Sequence, residues 1–530
     1  MKKSLLFATF CATALIATAQ NPFTYGLTQQ QTENGTIRLK YNLNANAQKV
    51  TFKMYDINDQ QVAAIQLPEA AITKGEHEEE IVLPVTEAGT YTWSLAAQGE
   101  GVSAAVEVGS PLPYTFWSPY GIAIDNNTES AHFGRILVTE SQANMGASYW
   151  TKSEGVGAGL YEFDPQANRV ANPTGAFGYN PLNFTQFTYT GGALSSAFHN
   201  KKVRISKDGR IFVGVLNTVN NPIYTVNPDN LNEWTPVFEG AIETATGSGL
   251  VQDADGNMVA SPSAAFDIIG EGADTKIVNL GSKFGQSYAF GNYTCYEYPI
   301  GEASTWSTAV AADQEVMPYS LQYTISAQSV SLAYDEDGNG IWYAQYRATP
   351  TEAQPAIKHV SKVNGTWVED YSDITSVARG GGIAWNYDHT LLAVPVANFL
   401  LKVYEVSDGA NGKVLTEKYS ITTTGIRGFN DIAFDIANNI WSCDNGKEVL
   451  SQIQLPYPDV TSNKARANGI VEQNTCEVAA PSAQAITIQT TTGVTDIQQS
   501  QSKAQKVYEN GQILIIKDNK KYNMMGIEVK

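Results

Sequence analysis

Six copies of one short pattern, an apolar strand, a polar turn and a second apolar strand, constrain this chain more than any other feature. They read GIAIDNNTESAHFGRILVTES from Gly121, KVRISKDGRIFVGVLN from Lys202, GLVQDADGNMVASPS from Gly249, SLAYDEDGNGIWYAQYR from Ser331, GIAWNYDHTLLAVPVAN from Gly382 and DIAFDIANNIWSCDNG from Asp431. Their starts lie 81, 47, 82, 51 and 49 residues apart. The shorter spacings match the ~40–50 residues of a four-stranded unit. The two longer ones require insertions or a unit whose signature has faded.

A single small sheet cannot bury both of its faces. Sheets set radially in a ring bury each face against a neighbour and leave only short, protected edges. The pattern therefore predicts an all-β chain whose centre is a six-bladed β-propeller over residues 111–458. Asp-Gly and Asn-Gly pairs supply the tight turn between the first two strands of a blade. Gly121 and Ala123 are small enough for a crowded axis. The last copy is followed by only about two further strands after Trp441, so Tyr114-Thr115-Phe116-Trp117 is the expected closing outer strand.

The regions on either side are also read as β structure. Thr36–Leu43, Val50–Asp56, Gln61–Leu67, Glu76–Leu83 and Gly89–Ala97 alternate or lie between turn signals, which predicts an N-terminal β-sandwich over 20–110. Residues 459–505, rich in Ser, Thr, Ala, Asn and Gln, are read as a linker. Residues 506–530 are read as a β-hairpin module, with strands over Gln512–Lys517 and Lys521–Val529. At the other end, Lys2 and Lys3, an apolar Leu5–Ile16 and Ala17-Thr18-Ala19 read as a signal peptide over 1–19. That apolar stretch is too short to span a bilayer, and no later segment reads as transmembrane. The chain is expected in the periplasm, at the cell surface or outside the cell.

Three resemblances accompany these readings. The six copies resemble the NHL-type and gluconolactonase/regucalcin-like six-bladed propellers. The segment VTFKMYDINDQQV…KGEHEEEIVLP…EAGTYTWSLAA resembles an Ig-like module of bacterial exported proteins, which spaces or docks other domains. The tail VYENGQILIIKDNKKYNMMGIEVK looks like the C-terminal sorting tail of Bacteroidetes proteins exported by the type IX system, which implies contact with export machinery. Gluconolactonase-like propellers hold a divalent metal with one Glu, two Asn and one Asp. Here Asn430-Asp431 matches one strand-start signature of that set. Arg379-Gly380-Gly381-Gly382 stands where a PNG form is wanted, so the full ligand set does not carry over.

Composition narrows the partners. The net charge is −19, and −21 without Lys2 and Lys3. Such a chain repels phosphate backbones, so no nucleic-acid partner is expected. Motifs for catalysis are missing: there is no G-x-S-x-G, no H-E-x-x-H and no C-x-x-C. The remaining cysteines, Cys295, Cys443 and Cys476, lie far apart and allow one disulfide with one free thiol, or buried thiols. Asp335–Gly340 and Asp253–Asn257 imitate calcium loops. The first lacks a glutamate at its twelfth position and the second a glycine at its sixth, and both fall where a blade needs its first turn.

Geometry then picks out side chains. In a propeller the first strands begin, and the second strands end, on one face around the axial funnel, where ligands bind. Lys202, Arg379, Arg427, Asn430 and Asp431 fall at or before first-strand starts; Glu140, Arg347 and Asp444 fall near second-strand ends. These eight are the candidate ligand-binding residues. Guanidinium groups there suit carboxylate or phosphate, which points to a polar or anionic small molecule, a glycan or a protein. The alternative is that the cations tie blades together by pairing with nearby carboxylates. Trp117, Trp150, Tyr149, Trp342 and Tyr346 would serve sugar stacking if exposed and would be core otherwise. No cofactor is expected, a divalent metal being the one candidate. The leading expectation is an exported binding or scaffold protein. A metal-dependent lactonase-like hydrolase and a cell-envelope structural protein are the alternatives.

Overall fold

Period-two alternation and frequent turn residues put almost every ordered segment of the chain into a β-strand. The computed structural model describes residues 20–33, 35–108, 116, 119–140, 157–182, 189–190, 193–194, 199–216, 223–237, 261–282, 293–302, 315–318, 330–345, 356–373, 382–397, 400–423, 429–444, 449–458, 468–489, 505–509, 512–517, 520–523 and 527–529. The helical turns among them are short 3-10 turns at Glu69–Ile72, Gly272–Asp274 and Ser482–Gln484. No helix among the described residues is long and apolar enough to cross a membrane.

Contacts divide the chain into two units, Met1–Val85 with Thr90–Ile486, and Thr86–Gly89 with Thr487–Lys530. Within the first unit, six antiparallel sheets follow one another along the chain. The first holds Pro119–Ile124, Ile136–Glu140 and Gly159–Phe163. The second runs through His199–Ile205, Ile211–Leu216, Ile223–Val226 and Trp234–Pro236, and the third through Ser261–Ile269, Lys276–Ser282, Tyr293–Tyr298 and Glu315–Pro318. The fourth holds Val330–Tyr334, Gly340–Gln345, Ile357–Val363 and Thr366–Asp373, and the fifth Ala384–Trp385, Leu391–Ala397, Leu400–Gly409 and Gly412–Thr422. The sixth consists of Phe429–Phe434, Asn439–Asp444, Val449–Gln454 and, from far upstream, Val106–Glu107.

Alternation sends successive side chains to opposite faces, and both faces of every sheet are apolar. Ile211, Val213 and Val215 pack on Leu137 and Leu160 of the first sheet, whereas Phe212 packs with Phe266 and Ile277 of the third. Cys295 and Leu280 meet Leu332 and Tyr343, Trp342 meets Leu392 and Val394, and Leu401 and Val403 meet Phe434 and Ile453. The cycle closes where Trp441, Cys443 and Leu450 of the sixth sheet pack on Ile122, Val138 and Tyr161 of the first.

Two expectations change here. The strand that completes the sixth sheet is Val106–Glu107, paired with Ile453 and Gln454, and not Tyr114–Trp117. Of that stretch only Phe116 is described. It is buried edge-on against Tyr161 and Phe163, so it serves as core between the last and first sheets. In the third sheet the first two strands are Ser261–Ile269 and Lys276–Ser282, joined through Gly270–Thr275. The expected turn at Asp253–Asn257 lies outside the described residues. The real turn, Gly270-Glu271-Gly272-Ala273-Asp274, has no Asp-Gly pair to announce it. The first turns of the second, fourth, fifth and sixth sheets follow one rule. Ser206, Asp335, Asn386 and Asp435 open the turn, and a left-handed residue follows three positions later: Gly209, Gly338, His389 and Asn438.

Residues before the ring form two sheets. Thr24–Glu33, Thr36–Leu43 and Gly75–Val82 make one. Lys49–Tyr55, Gln61–Gln66 and Gly89–Gln98 belong to the other, which also takes Gly469–Glu472 and Thr475–Ala479 from beyond the ring. The stretch expected as a linker thus contributes these two strands and a third, Ile486–Ile488. Its buried Val471, Cys476 and Val478 supply the inward side chains, a signal too short to stand out from the polar sequence around it. The charged run Glu76–Glu80 lies on an edge strand, where like charges discourage pairing with another chain.

Cys295, Cys443 and Cys476 are all buried thiols, with no disulfide among the described residues. Burial pushes the Cys476 thiol well above its usual range. A chain beginning at Gln20 is expected to show no thiol reactive toward an aromatic disulfide reagent while native, and three after denaturation. A fast-reacting thiol in the native protein would contradict this packing.

The second unit carries a four-stranded antiparallel meander, Gln505–Glu509, Gln512–Lys517, Lys520–Tyr522 and Glu528–Val529. The expected two-stranded hairpin is therefore doubled: Lys521–Val529 breaks into two strands, and Gln505–Glu509 adds a second partner to Gln512–Lys517.

Candidate functional site

The first strands of the ring sheets carry irregularities near their starts. Register shifts interrupt the ladders between Pro119 and Gly121, Asn200 and Val203, Pro262 and Phe266, and Phe429 and Asp431. An extra residue on one strand bends it and re-aims a side chain. Lys202 and Asn430 sit within such shifts, and Asp431 borders one, which brings polar side chains of distant segments together on the first strands.

What assembles is a buried charge network. Lys202 Nζ lies 3.1 Å from Asp431 Oδ1 and donates to the Asn430 carbonyl at 2.8 Å. Arg204, two residues along the same strand, grips Asp431 with both terminal nitrogens, at 2.7 and 3.2 Å. Its Nε reaches back to Asp267 Oδ1 at 3.2 Å. Backbone groups complete the set. The Ile122 N–H donates to Asp431 Oδ2 at 3.2 Å, the Tyr334 N–H donates to Asp267 Oδ2 at 2.8 Å, and Asn430 Nδ2 donates to the Pro119 carbonyl at 2.6 Å. Two cations and two carboxylates, formally neutral together, thus join the first strands of the first, second, third, fourth and sixth sheets.

Burial dominates the electrostatics. It pushes Lys202 down to about 8, with the Arg204 charge adding to the effect and Asp431 opposing it. Asp267 is pushed up to about 6 by the same loss of water, against the pull of Arg204. Arg204 moves the other way: burial would lower it, but Asp431 and Asp267 outweigh that and hold the guanidinium charged.

The eight expected residues fall into three groups. Lys202, Asn430 and Asp431 come together, buried and bonded to one another. Glu140 is buried one ladder step away, opposite Pro119, and Asp444 pairs with Phe429 in the sixth sheet. Arg347, Arg379 and Arg427 lie outside the described residues. Arg204 and Asp267 were missed. Arg204 follows Lys202 at the strand period, and Asp267 is a lone charge in the apolar run AAFDII, where a buried charge demands a partner. Either signal was available.

This donor set does not fit a divalent metal. Both Asp431 oxygens already face Lys202, Arg204 or the Ile122 N–H, and a metal there would meet two cations within a few ångströms. Among the described residues no group of three or more His, Cys, Asp or Glu is placed to hold one. The calcium-like Asp335–Gly340 is a hairpin turn whose Asp335 accepts from Trp342 Nε1 at 3.0 Å and faces His359 Nε2 at 3.1 Å. Trp342 is fully buried between the fourth and fifth sheets, so it offers no platform for a sugar. Trp117, Tyr149, Trp150 and Tyr346 lie outside the described residues.

No protein family and no curated protein matches the chain. Similar solved structures include a chain of the Mitotic Checkpoint Complex, 9% identical, with 67% of this chain and 94% of that one covered and a TM-score of 0.30. A structural genomics protein of unknown function from Bacteroides thetaiotaomicron VPI-5482 is 10% identical, with 81% and 98% covered and a TM-score of 0.34. The beta-propeller domain of Myceliophteria thermophila Cps50 (Swd1) is 8% identical, with 64% and 99% covered and a TM-score of 0.34. Likenesses at these scores decide nothing about activity.

Proposed function

We propose that the chain is an exported binding or scaffold protein whose ring of sheets is a six-bladed β-propeller. In this reading the two sheets before the ring form an Ig-like sandwich that spaces or docks it. Residues 1–19 are a leader and the terminal meander is a sorting tail. The ligand is a polar or anionic molecule, glycan or peptide, held where the first strands begin. One observation supports the reading: Lys202, Asn430 and Asp431, from segments more than two hundred residues apart, meet, with Glu140 paired to Pro119 and Asp444 to Phe429 on neighbouring ladder positions. Lys202 and Asp431 neutralise each other, so in this reading an anionic ligand is left to Arg347, Arg379 and Arg427, which lie outside the described residues.

The test is a titration of the purified protein with a panel of neutral and uronic-acid oligosaccharides and acidic peptides. Binding of an acidic member is expected, weakened at least about tenfold in the Arg379→Ala/Arg427→Ala double variant at an unchanged unfolding temperature. No binding across the panel would overturn ligand recognition and favour a purely structural role in the envelope.

A further inference from the structure

The cycle of sheets closes by packing between the sixth and the first, and the ladder that ties the upstream chain into the sixth sheet is short. Val106 and Glu107 pair with Gln454 and Ile453, and one more bond follows, from the Val108 N–H to the Gln452 carbonyl at 2.9 Å. A second segment crosses the same seam. Asn21 is fully buried, and all of its polar groups are used. Its backbone N–H donates to Asn439 Oδ1 at 2.8 Å, and its side-chain Nδ2 donates to the Ala437 and Leu455 carbonyls, each at 3.0 Å. Its side-chain oxygen accepts from Gln454 Nε2 at 2.8 Å, and its backbone carbonyl accepts from Asn439 Nδ2 at 3.1 Å and Asn44 Nδ2 at 3.3 Å. Asn439 is itself fixed by the Asp435 carboxylate, which accepts from its N–H at 2.9 Å and its Nδ2 at 2.7 Å. All of these partners except Asn44 belong to the sixth sheet, its turn or the residue that follows it.

Two and four residues on, the same segment meets the turns that flank the strands of the first sheet. The Phe23 ring stands edge-on to Phe133, with centroids 6.0 Å apart, and Tyr25 Oη accepts from Gln166 Nε2 at 2.8 Å. Asn21 therefore holds one side of the seam and Phe23 with Tyr25 the other.

We propose that residues 20–25 are a strap that locks the ring shut. While Asn21 is seated, the sixth sheet cannot part from the first. When it is unseated, the seam keeps the packing of Trp441, Cys443 and Leu450 on the first sheet and the bonds of Asn430 and Asp431, but loses the one segment bonded to both sides and opens locally more often. A buried side chain with every donor and acceptor matched to one sheet is specific to that sheet, because any other position leaves its partners unpaired in the interior.

Amide hydrogen exchange on the full chain, unaltered and carrying Asn21→Leu or Phe23→Leu, tests the strap. In both variants the amides of Phe429–Phe434, Val449–Gln454 and Gly121–Ile124 are expected to exchange at least about tenfold faster, while those of Val330–Tyr334 and Gly340–Gln345 keep their rates. Equal acceleration in every sheet, or none in any, would overturn the proposal. Should Asn21→Leu fail to fold, Phe23→Leu, which keeps an apolar side chain of lesser size, decides by the same comparison.

Discussion

Asp431→Ala is expected to lower the stability of the protein by about 3–5 kcal/mol, because it removes the carboxylate that faces two cations in a buried network. Lys202, which is buried, and Arg204, which is mostly so, both turn to this carboxylate, and Arg204 keeps Asp267 when it is removed. Asp431→Asn should cost less, since an amide oxygen still accepts from the Ile122 N–H and one cation. Denaturant midpoints of the three proteins, taken with unchanged slopes, measure the effect. An Asp431→Ala protein as stable as the original would mean that the carboxylate is free to serve a ligand and does not tie the sheets. Loss of a tie between strands far apart in sequence should also appear as one cooperative transition moved to lower denaturant, not as a separate early step.

Trp342→Ala is expected to cost about 3–5 kcal/mol, as the emptying of a fully buried aromatic site does. The ring fills the space between the fourth and fifth sheets, with its centroid 4.5 Å from that of His359 and 6.5 Å from that of Trp385. Its Nε1 also holds the Asp335 carboxylate that organises the turn before it. That turn has no slack: a Cβ on Gly340 would collide with the Asp335 carboxylate and the His359 ring. Trp342→Phe keeps most of the volume and loses the N–H, so it should fall between the two. Unfolding temperatures rank the series. Equal stability of all three would place the indole at a surface, where a sugar could stack on it.

Much of this architecture was legible because its signals are local. Thr36–Leu43 and Gln61–Gln66 match alternating or turn-bounded segments almost residue for residue. The first turns at Ser206–Gly209 and Asp335–Gly338 announce themselves through glycine after aspartate. Thr24–Glu33 escaped because TYGLTQQQTE is mostly polar: its Leu27 is buried, while Gly26 is left-handed and the ladder shifts beside it. Thr475–Ala479 escaped because what makes it a strand is a neighbour at the other end of the chain.

The site divides in the same way. That Lys202 and Asp431 share one region follows from their positions at strand starts. That they bond to each other, with Arg204 between Asp431 and Asp267, depends on pairings across 227 and 63 residues that no local pattern encodes. Buried charge in an apolar strand was the available clue, and it says only that a partner exists.

The arrangement in which Thr475–Ala479 lies beside Ser94–Gln98 has a kinetic consequence. Thr475 pairs with Gln98, a separation of 377 residues (475 minus 98), and the whole ring is threaded between them. Loop-closure entropy must be met before such a contact returns anything, so this pairing forms late. During synthesis the early strand Gly89–Gln98 must wait for almost the entire chain, with one edge still open, before its last neighbour arrives. The slowest folding step should therefore be the docking of residues 469–479, and conditions that delay it should expose that edge to other chains.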